Sequence, residues 1–524
     1  MPILQRLEEP IERTQHIFIK LLVGSFAAVV LLILFAWGGW RAYERWEERH
    51  QVRQATAFLE NGDFKSAGLS ARRALQLNVN SAGAMRVMAQ LAEKMHDRVA
   101  LDWRRKVLQL EPNSTADAIA LSDCALQFGD ARAAEKTLAG IHPAGKNTAE
   151  FHAAAGRLAK ARKDATEAKR EFAEARHLAP GNESYELEYA LACLDESNAA
   201  TRAKAVAMLE RLRGSPAQRT AATRALLLDG AVHRHDPEEL RNLARELQSY
   251  PEASFADRLL YLDVLRQLGD RAYPASLSQI EKDASAKPVD LGALLSWMNL
   301  NNMSLVAVDF VKSLPAEVLS TWPVPLALAE AHSKLGDWPE VQKLAQTANW
   351  GESEFLRHAY LARAFRGKNE ATAATHEWTE ATRAASARPQ SMLMLARMIY
   401  DWGWKNESID LLWQLTKYAE MQFEALRALY LYYQKGHHTQ GLFRVLSRLN
   451  EIDPDDVKVQ NNLAQISLLL GVDLDRAGKR AAELYRKESS DPAYVSTYAF
   501  SLYAKGDAQG AINAMNKLRA DQLE

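Results

Sequence analysis

The chain has 524 residues, 48% of them hydrophobic, which fits a folded protein and is too apolar for a disordered one. Lys plus Arg number 65 and Asp plus Glu 66, a formal net charge of −1 that gives no electrostatic ground for nucleic-acid binding. Cys124 and Cys193 are the only cysteines, too few for a disulfide framework and without a C-x-x-C pair for zinc, so both read as small buried residues on helices.

The first predicted element follows a short N-terminal tail, residues 1–16. Leu21 to Trp40 carry no charge, and as a helix of 1.5 Å rise they extend about 30 Å, the thickness of a hydrocarbon core. The segment 17–40 therefore reads as a transmembrane helix. Trp37, Trp40, Tyr43 and Trp46 on its exit side suit a headgroup layer. A cleaved signal peptide, with Ala36 and Gly38 as its small-residue pattern, and a buried core helix are the rival readings. Three basic residues on one side (Arg6, Arg13, Lys20) and four on the other (Arg41, Arg45, Arg49, Arg53) do not set the orientation. A short tail before one apolar helix favours a single-pass inner- or plasma-membrane protein with the bulk exported to the periplasmic side. From Trp40 to Glu60 there is no Gly or Pro, so residues 41–60 should continue the helix into the first repeat, with Gly38-Gly39 as the local weak point.

From residue 48 onward the chain is periodic. Gly-Asp recurs at Gly62-Asp63, Gly129-Asp130, Gly269-Asp270, Gly336-Asp337 and Gly506-Asp507. Such a dipeptide between amphipathic stretches suits a tight helix-to-helix turn: Gly takes the left-handed conformation that ends one helix and Asp caps the next. A small apolar residue follows about five positions later. The series is Ala67, Ala100, Ala134, Ala168, Ala205, Leu240, Ala275, Ala307, Val341, Ala374, Ser408, Leu442, Ala477 and Ala511, with gaps of 32 to 37 residues. Ten of the 14 marks are alanine, the side chain that lets two helices approach closely. Pro112, Pro180 and Pro454 should stop the second helix of their units.

A period near 34 residues, with Gly156, Ala168, Phe172, Ala175 and Pro180 at the separations of small, large, small and helix-stopping positions, resembles the tetratricopeptide (TPR) repeat. Ala100, Val107 and Pro112, and Ala511, Met515 and Leu518, keep the same phase. The resemblance implies an all-α, right-handed superhelical solenoid of about 14 helix pairs. We divide it into N-terminal units over 48–213, divergent units over 214–320 and C-terminal units over 321–524. Each pair alone cannot bury its apolar face, and stacking does so.

No phosphate-binding glycine loop, G-x-S-x-G or H-E-x-x-H is present, so neither enzyme activity nor a cofactor is expected. His233, His235 and Asp236 form the one local cluster with metal-ligating side chains, at a predicted turn where polar residues belong in any case. His437 and His438 are adjacent and would point apart on a helix. Asp455-Asp456 reads as charge at a helix N-terminus.

TPR proteins line their groove with the first helix of each unit. The phasing places Arg363 and Arg366, Arg397 and Tyr400, Arg427 and Lys435, and Asn461 and Gln465 on successive first helices, facing that groove. Guanidinium groups can grip carboxylates and asparagine can pair with peptide backbone, so an acidic or C-terminal peptide segment is one expected ligand; a plainly solvated polar face is the other reading. Asn461-Asn462-Leu463-Ala464 resembles first helices of TPR units in bacterial envelope and exopolysaccharide-secretion proteins. The expected function is a membrane-anchored scaffold that binds proteins, in envelope assembly or secretion. The alternative is a regulatory subunit of a membrane-associated biosynthetic enzyme. The lipopolysaccharide type of that alternative ends in a cysteine-bearing zinc module, which this sequence does not show.

Overall fold

A computed structural model describes residues 37–95, 97–194, 198–233, 236–418 and 421–518. Among them every regular element is a helix, and fourteen pairs of a first and a second helix follow one another, with three short extra turns at Pro143–Asn147, Ala316–Leu319 and Gly351–Ser353. The chain divides into two compact units, 1–235 and 236–524.

The single-pass membrane expectation is corrected here. Among the described residues no helix is long and apolar enough to cross a membrane. The stretch that suggested one lies outside the described residues except for Trp37–Trp40. Residues 37–60 form one helix whose sequence carries Arg41, Glu44, Arg45, Glu47, Glu48 and Arg49, charges that a span of lipid would not hold. Val52, Ala55 and Leu59 turn toward the helices that follow: Ala55 and Leu59 join Ala67, Ala71, Val87 and Leu91 in one core cluster, and Val52 lies under Gly83.

The turns show why the Gly-Asp phrase recurs. Gly62, Gly129, Gly269, Gly336 and Gly506 all have positive φ, between 59° and 87°, a conformation glycine adopts without a Cβ clash. The next residue then caps the second helix. Asp63 accepts from Ser66 N at 3.0 Å, Asp130 from Ala133 N at 2.9 Å and Asp507 from Gly510 N at 2.8 Å. Two differ: Asp337 takes His332 Nδ1 at 2.9 Å instead, and Asp270 accepts from Ala272 N at 2.8 Å, ahead of a helix that starts at Tyr273. The second helices before Pro112, Pro180 and Pro454 end at Leu110, Leu178 and Ile452.

All fourteen phase marks fall on second helices, and eleven are buried. Several begin a buried stripe at i, i+4 and i+7, the face of a helix turned to one neighbour: Ala67, Ala71 and Ala74; Ala168, Phe172 and Ala175; Ala477, Ala481 and Leu484. Gly156 shows how tight the contact is, because a Cβ there would lie 2.5 Å from the Phe172 ring. Ala275 is exposed; its helix buries Ile280 and Ala284. In helix Thr439–Ile452 the smallest buried residue is Gly441, not Leu442, since the Tyr433 ring occupies the place of a Cβ at 441.

The two units differ in what fills them. In the first, alanines share the cores with aliphatic residues such as Ile119, Leu121 and Leu138 and with Phe172, and these clusters bury no tryptophan. The second holds a long cluster from Ala329 to Leu449 with Trp350, Tyr360 and Trp404 inside it.

Candidate partner-binding face

In the second unit the relevant first helices are Glu354–Gly367, Pro389–Asp401, Gln422–Lys435, Val457–Leu470 and Pro492–Ala504. Their buried stripes pack on the second helices, so the residues between those stripes face away. Exposed along them are Met394, Arg397, Arg427, Leu431, Gln465, Leu469 and Tyr503. Within each helix these recur at three- or four-residue spacing, 394 to 397, 427 to 431 and 465 to 469, the spacing of one helical face.

Neighbouring faces are tied by direct contacts. Tyr400 stacks on Tyr432 with centroids 3.8 Å apart and planes at 10°. Arg397 Nη2 donates to Glu424 at 2.7 Å. Asn462 Nδ2 reaches the Tyr430 hydroxyl at 3.5 Å. Burial pushes the Tyr432 phenol above its ordinary value.

The eight residues expected to line the groove therefore separate into three sets. Arg363, Arg366 and Arg397 are engaged within the chain. Arg363 donates to Glu330 at 2.8 Å and lies over Trp402 at 4.4 Å. Arg366 donates to Glu407 at 2.9 Å and lies over Trp404 at 3.7 Å. Tyr400 is spent on its stack. Asn461 is 3% exposed and its Oδ1 finds no partner among the described residues, so it is a core residue and not a groove one. Arg427, Lys435 and Gln465 remain exposed and without a side-chain partner among the described residues.

A chain of rings that sequence reading did not single out runs beside the arginines. Trp322, Trp350, Tyr360, Trp402, Trp404 and Trp378 follow one another with centroids 5.0 to 6.3 Å apart, the range of favourable aromatic pairs. Tyr360 donates to Glu330 at 3.0 Å, and burial holds its phenol well above the usual value. The signal was in the sequence: eight of the 12 tryptophans lie between residues 297 and 413.

The first unit has a related arrangement on its first helices. Arg157 takes Asp123 through two bonds of 2.8 and 2.9 Å and Glu188 at 2.9 Å. Asp123, Arg157, Glu330, Arg363 and Arg397 all stand eleven residues before their phase marks. One position of the repeat thus carries interlocking charges. Burial raises the Glu188 carboxyl although Arg157 opposes the shift.

The histidines have local roles. His233 Nδ1 sits 3.0 Å from the Asp229 carbonyl, and Asp236 caps helix Pro237–Ser249 through Glu238 N; His235 lies outside the described residues. His438 Nδ1 accepts from Gly441 N at 2.9 Å as a helix cap. Among the described residues no three His, Cys, Asp or Glu side chains gather as metal ligands. Both cysteines are buried; burial, with Glu93 nearby, pushes the Cys124 thiol up to about 12.

No family model matches the chain, and no curated protein does. Solved structures resemble it only weakly. The APC/C hetero-tetramer Cut9-Hcn1 is 14% identical, with 90% of this chain and 96% of that one covered and a TM-score of 0.30. MamA is 14% identical over 33% of this chain and 93% of that one, with a TM-score of 0.27. PilF of Pseudomonas aeruginosa is 14% identical over 46% and 92%, also at 0.27. At these values they do not place the chain in a family, and its helix-pair architecture stands on its own residues.

Proposed function

We propose that the protein is a scaffold whose second unit binds a partner segment along its first-helix face. The observation that carries this reading is the series of exposed Met394, Leu431, Leu469 and Tyr503, one on each of four successive first helices, 44%, 51%, 58% and 66% exposed. An apolar side chain scattered singly needs no explanation, but one on every first helix of this run does. Beside it Arg427 and Lys435 are free, whereas Arg363, Arg366 and Arg397 already hold glutamates of this chain. The fitting partner is an amphipathic segment with apolar side chains on this series and a carboxylate toward Arg427. A continuous acidic peptide fits less well, since it would have to displace three internal ion pairs.

The test is selection of peptides displayed on phage against the full chain. Enriched sequences should combine apolar and acidic residues, and binding should fall by about tenfold or more in Leu431→Glu/Leu469→Glu while helicity is kept. Selected peptides that bind this double variant unchanged would defeat the proposal, as would the absence of any enrichment.

A further inference from the structure

A second surface lies away from the first-helix face, between consecutive second helices. Helices Thr439–Ile452 and Leu474–Lys487 stand apart over helix Val457–Leu470 and leave a cavity of about 160 Å³. Its origin can be read from the preceding pair. There the space beside helix Lys405–Leu415 is filled by Trp413, whose indole Nε1 donates to Tyr433 Oη at 3.0 Å and whose face carries Arg444 at 3.8 Å. Trp413 is the ninth residue of its helix, counting from Lys405; the ninth of the next second helix, counting from Thr439, is Ser447. A tryptophan is exchanged for a serine, and the crevice opens.

The opening is furnished with polar groups. Ser467 is 5% exposed and lines the cavity, and its hydroxyl, without a hydrogen-bond partner among the described residues, is left open to that space. Asn450 and Arg476 line the same space and are also without a side-chain partner. Arg480 lines it too, held to Gln460 Oε1 at 3.2 Å and 3.6 Å from Glu483. Of the two lining carboxylates, Glu451 is paired with Arg448 at 2.5 Å, which leaves Asp473 against two guanidinium groups. Phe443, Leu463 and Ala464 give the cavity apolar wall.

We infer that this crevice is a binding site for a carboxylate on a short apolar body, with Arg476 and Ser467 as donors to the carboxylate. A volume near 150 Å³ is enough for a benzene-sized body, which Phe443, Leu463 and Ala464 would contact here, and an arginine grips a carboxylate through two parallel bonds. The carboxylate can belong to a free small acid or to the end of a partner polypeptide.

Benzoate and its neutral isostere benzamide are the probes, titrated into the full chain by calorimetry and ligand-observed NMR. Benzoate should bind, and benzamide should bind about tenfold or more weakly, since it lacks the charge that strengthens the hydrogen bonds. Arg476→Ala, at an exposed position that should not disturb folding, should weaken benzoate by a similar factor. Ser447→Trp, which restores the filling of the preceding pair, should abolish binding with helicity unchanged. Gly-Gly-Phe against its C-terminal amide separates the sources: tighter binding of the free-acid peptide than of benzoate points to a chain end, the reverse to a small acid. Equal binding of benzoate and benzamide, no binding of benzoate, or unaltered binding by Arg476→Ala would each overturn the inference. The first-helix face is untouched by these variants, so this result stands apart from the peptide selection above.

Discussion

Helix Phe64–Leu77 in the first unit buries Ala67, Ala71 and Ala74, whereas the second unit, at the comparable depth between helices, buries Trp350 and Tyr360 and lays Trp378, Trp402 and Trp404 against them. Alanine brings two backbones together and leaves no side chain that can be shortened; the contact is intolerant of added volume. The aromatic packing holds helices apart and fills the space with rings, so it is intolerant of removed volume. A single repeat architecture thus carries two opposite sensitivities.

The largest expected effect breaks the aromatic side. Trp350 is 1% exposed and touches both Trp322 and Tyr360. Trp350→Ala should cost about 4 kcal/mol, read as a lower denaturant midpoint. Amide exchange should quicken in helices Val324–Leu335, Trp338–Thr347 and Glu354–Gly367 ahead of the rest. The alanine side is tested in the other direction. Ala71→Leu adds bulk where exposure is 0% and should cost about 2 kcal/mol; a gain in stability would mean that the close approach is not required.

The smallest effect concerns charge in the first unit. Asp117 is held by Arg86 through bonds of 2.8 and 2.7 Å, and Ser114 Oγ donates to it at 2.6 Å. The Arg86 bond depresses its carboxyl below the ordinary 3.8. A depressed acid stabilises the fold above its unfolded value and loses that contribution as pH falls through the folded one. Unfolding midpoints should drop below pH 3.8, and Asp117→Asn should flatten that drop at a cost of about 1.5 kcal/mol at neutral pH. An unchanged acid limb in the variant would show that the pair contributes nothing measurable.

The fold was more legible than the site, for a physical reason. Helix phase repeats every turn, so Gly-Asp pairs and one small residue per unit were enough to place all fourteen second helices. The misses are local substitutions of one packing solution for another: Tyr273-Pro274 opens a helix whose buried stripe is displaced from Ala275, and Gly441 accepts the Tyr433 ring that Leu442 was expected to meet. The groove residues depended on partners far along the chain. Glu330 is 33 residues from Arg363, and Glu407 is 41 from Arg366. A phase argument places a side chain on a face but does not say whether a neighbouring repeat has already claimed it, and for the same reason it left Asn461 outside when the structure buries it. The apolar segment ahead of residue 37 looked decisive by length alone, and the helix described from residue 37 onward is amphipathic and charged.

The charges that interlock at one position of successive repeats constrain how such a chain can change. Asp123 meets Arg157, and Glu330 meets Arg363, in each case one repeat further on. Arg363 and Arg397 occupy the same position of consecutive repeats, and each turns to a different glutamate. Deleting the unit that carries Arg157, for instance, would leave Asp123 unmatched. The repeats look alike in outline but carry individual addresses, so the order of units is written into the array as firmly as their number.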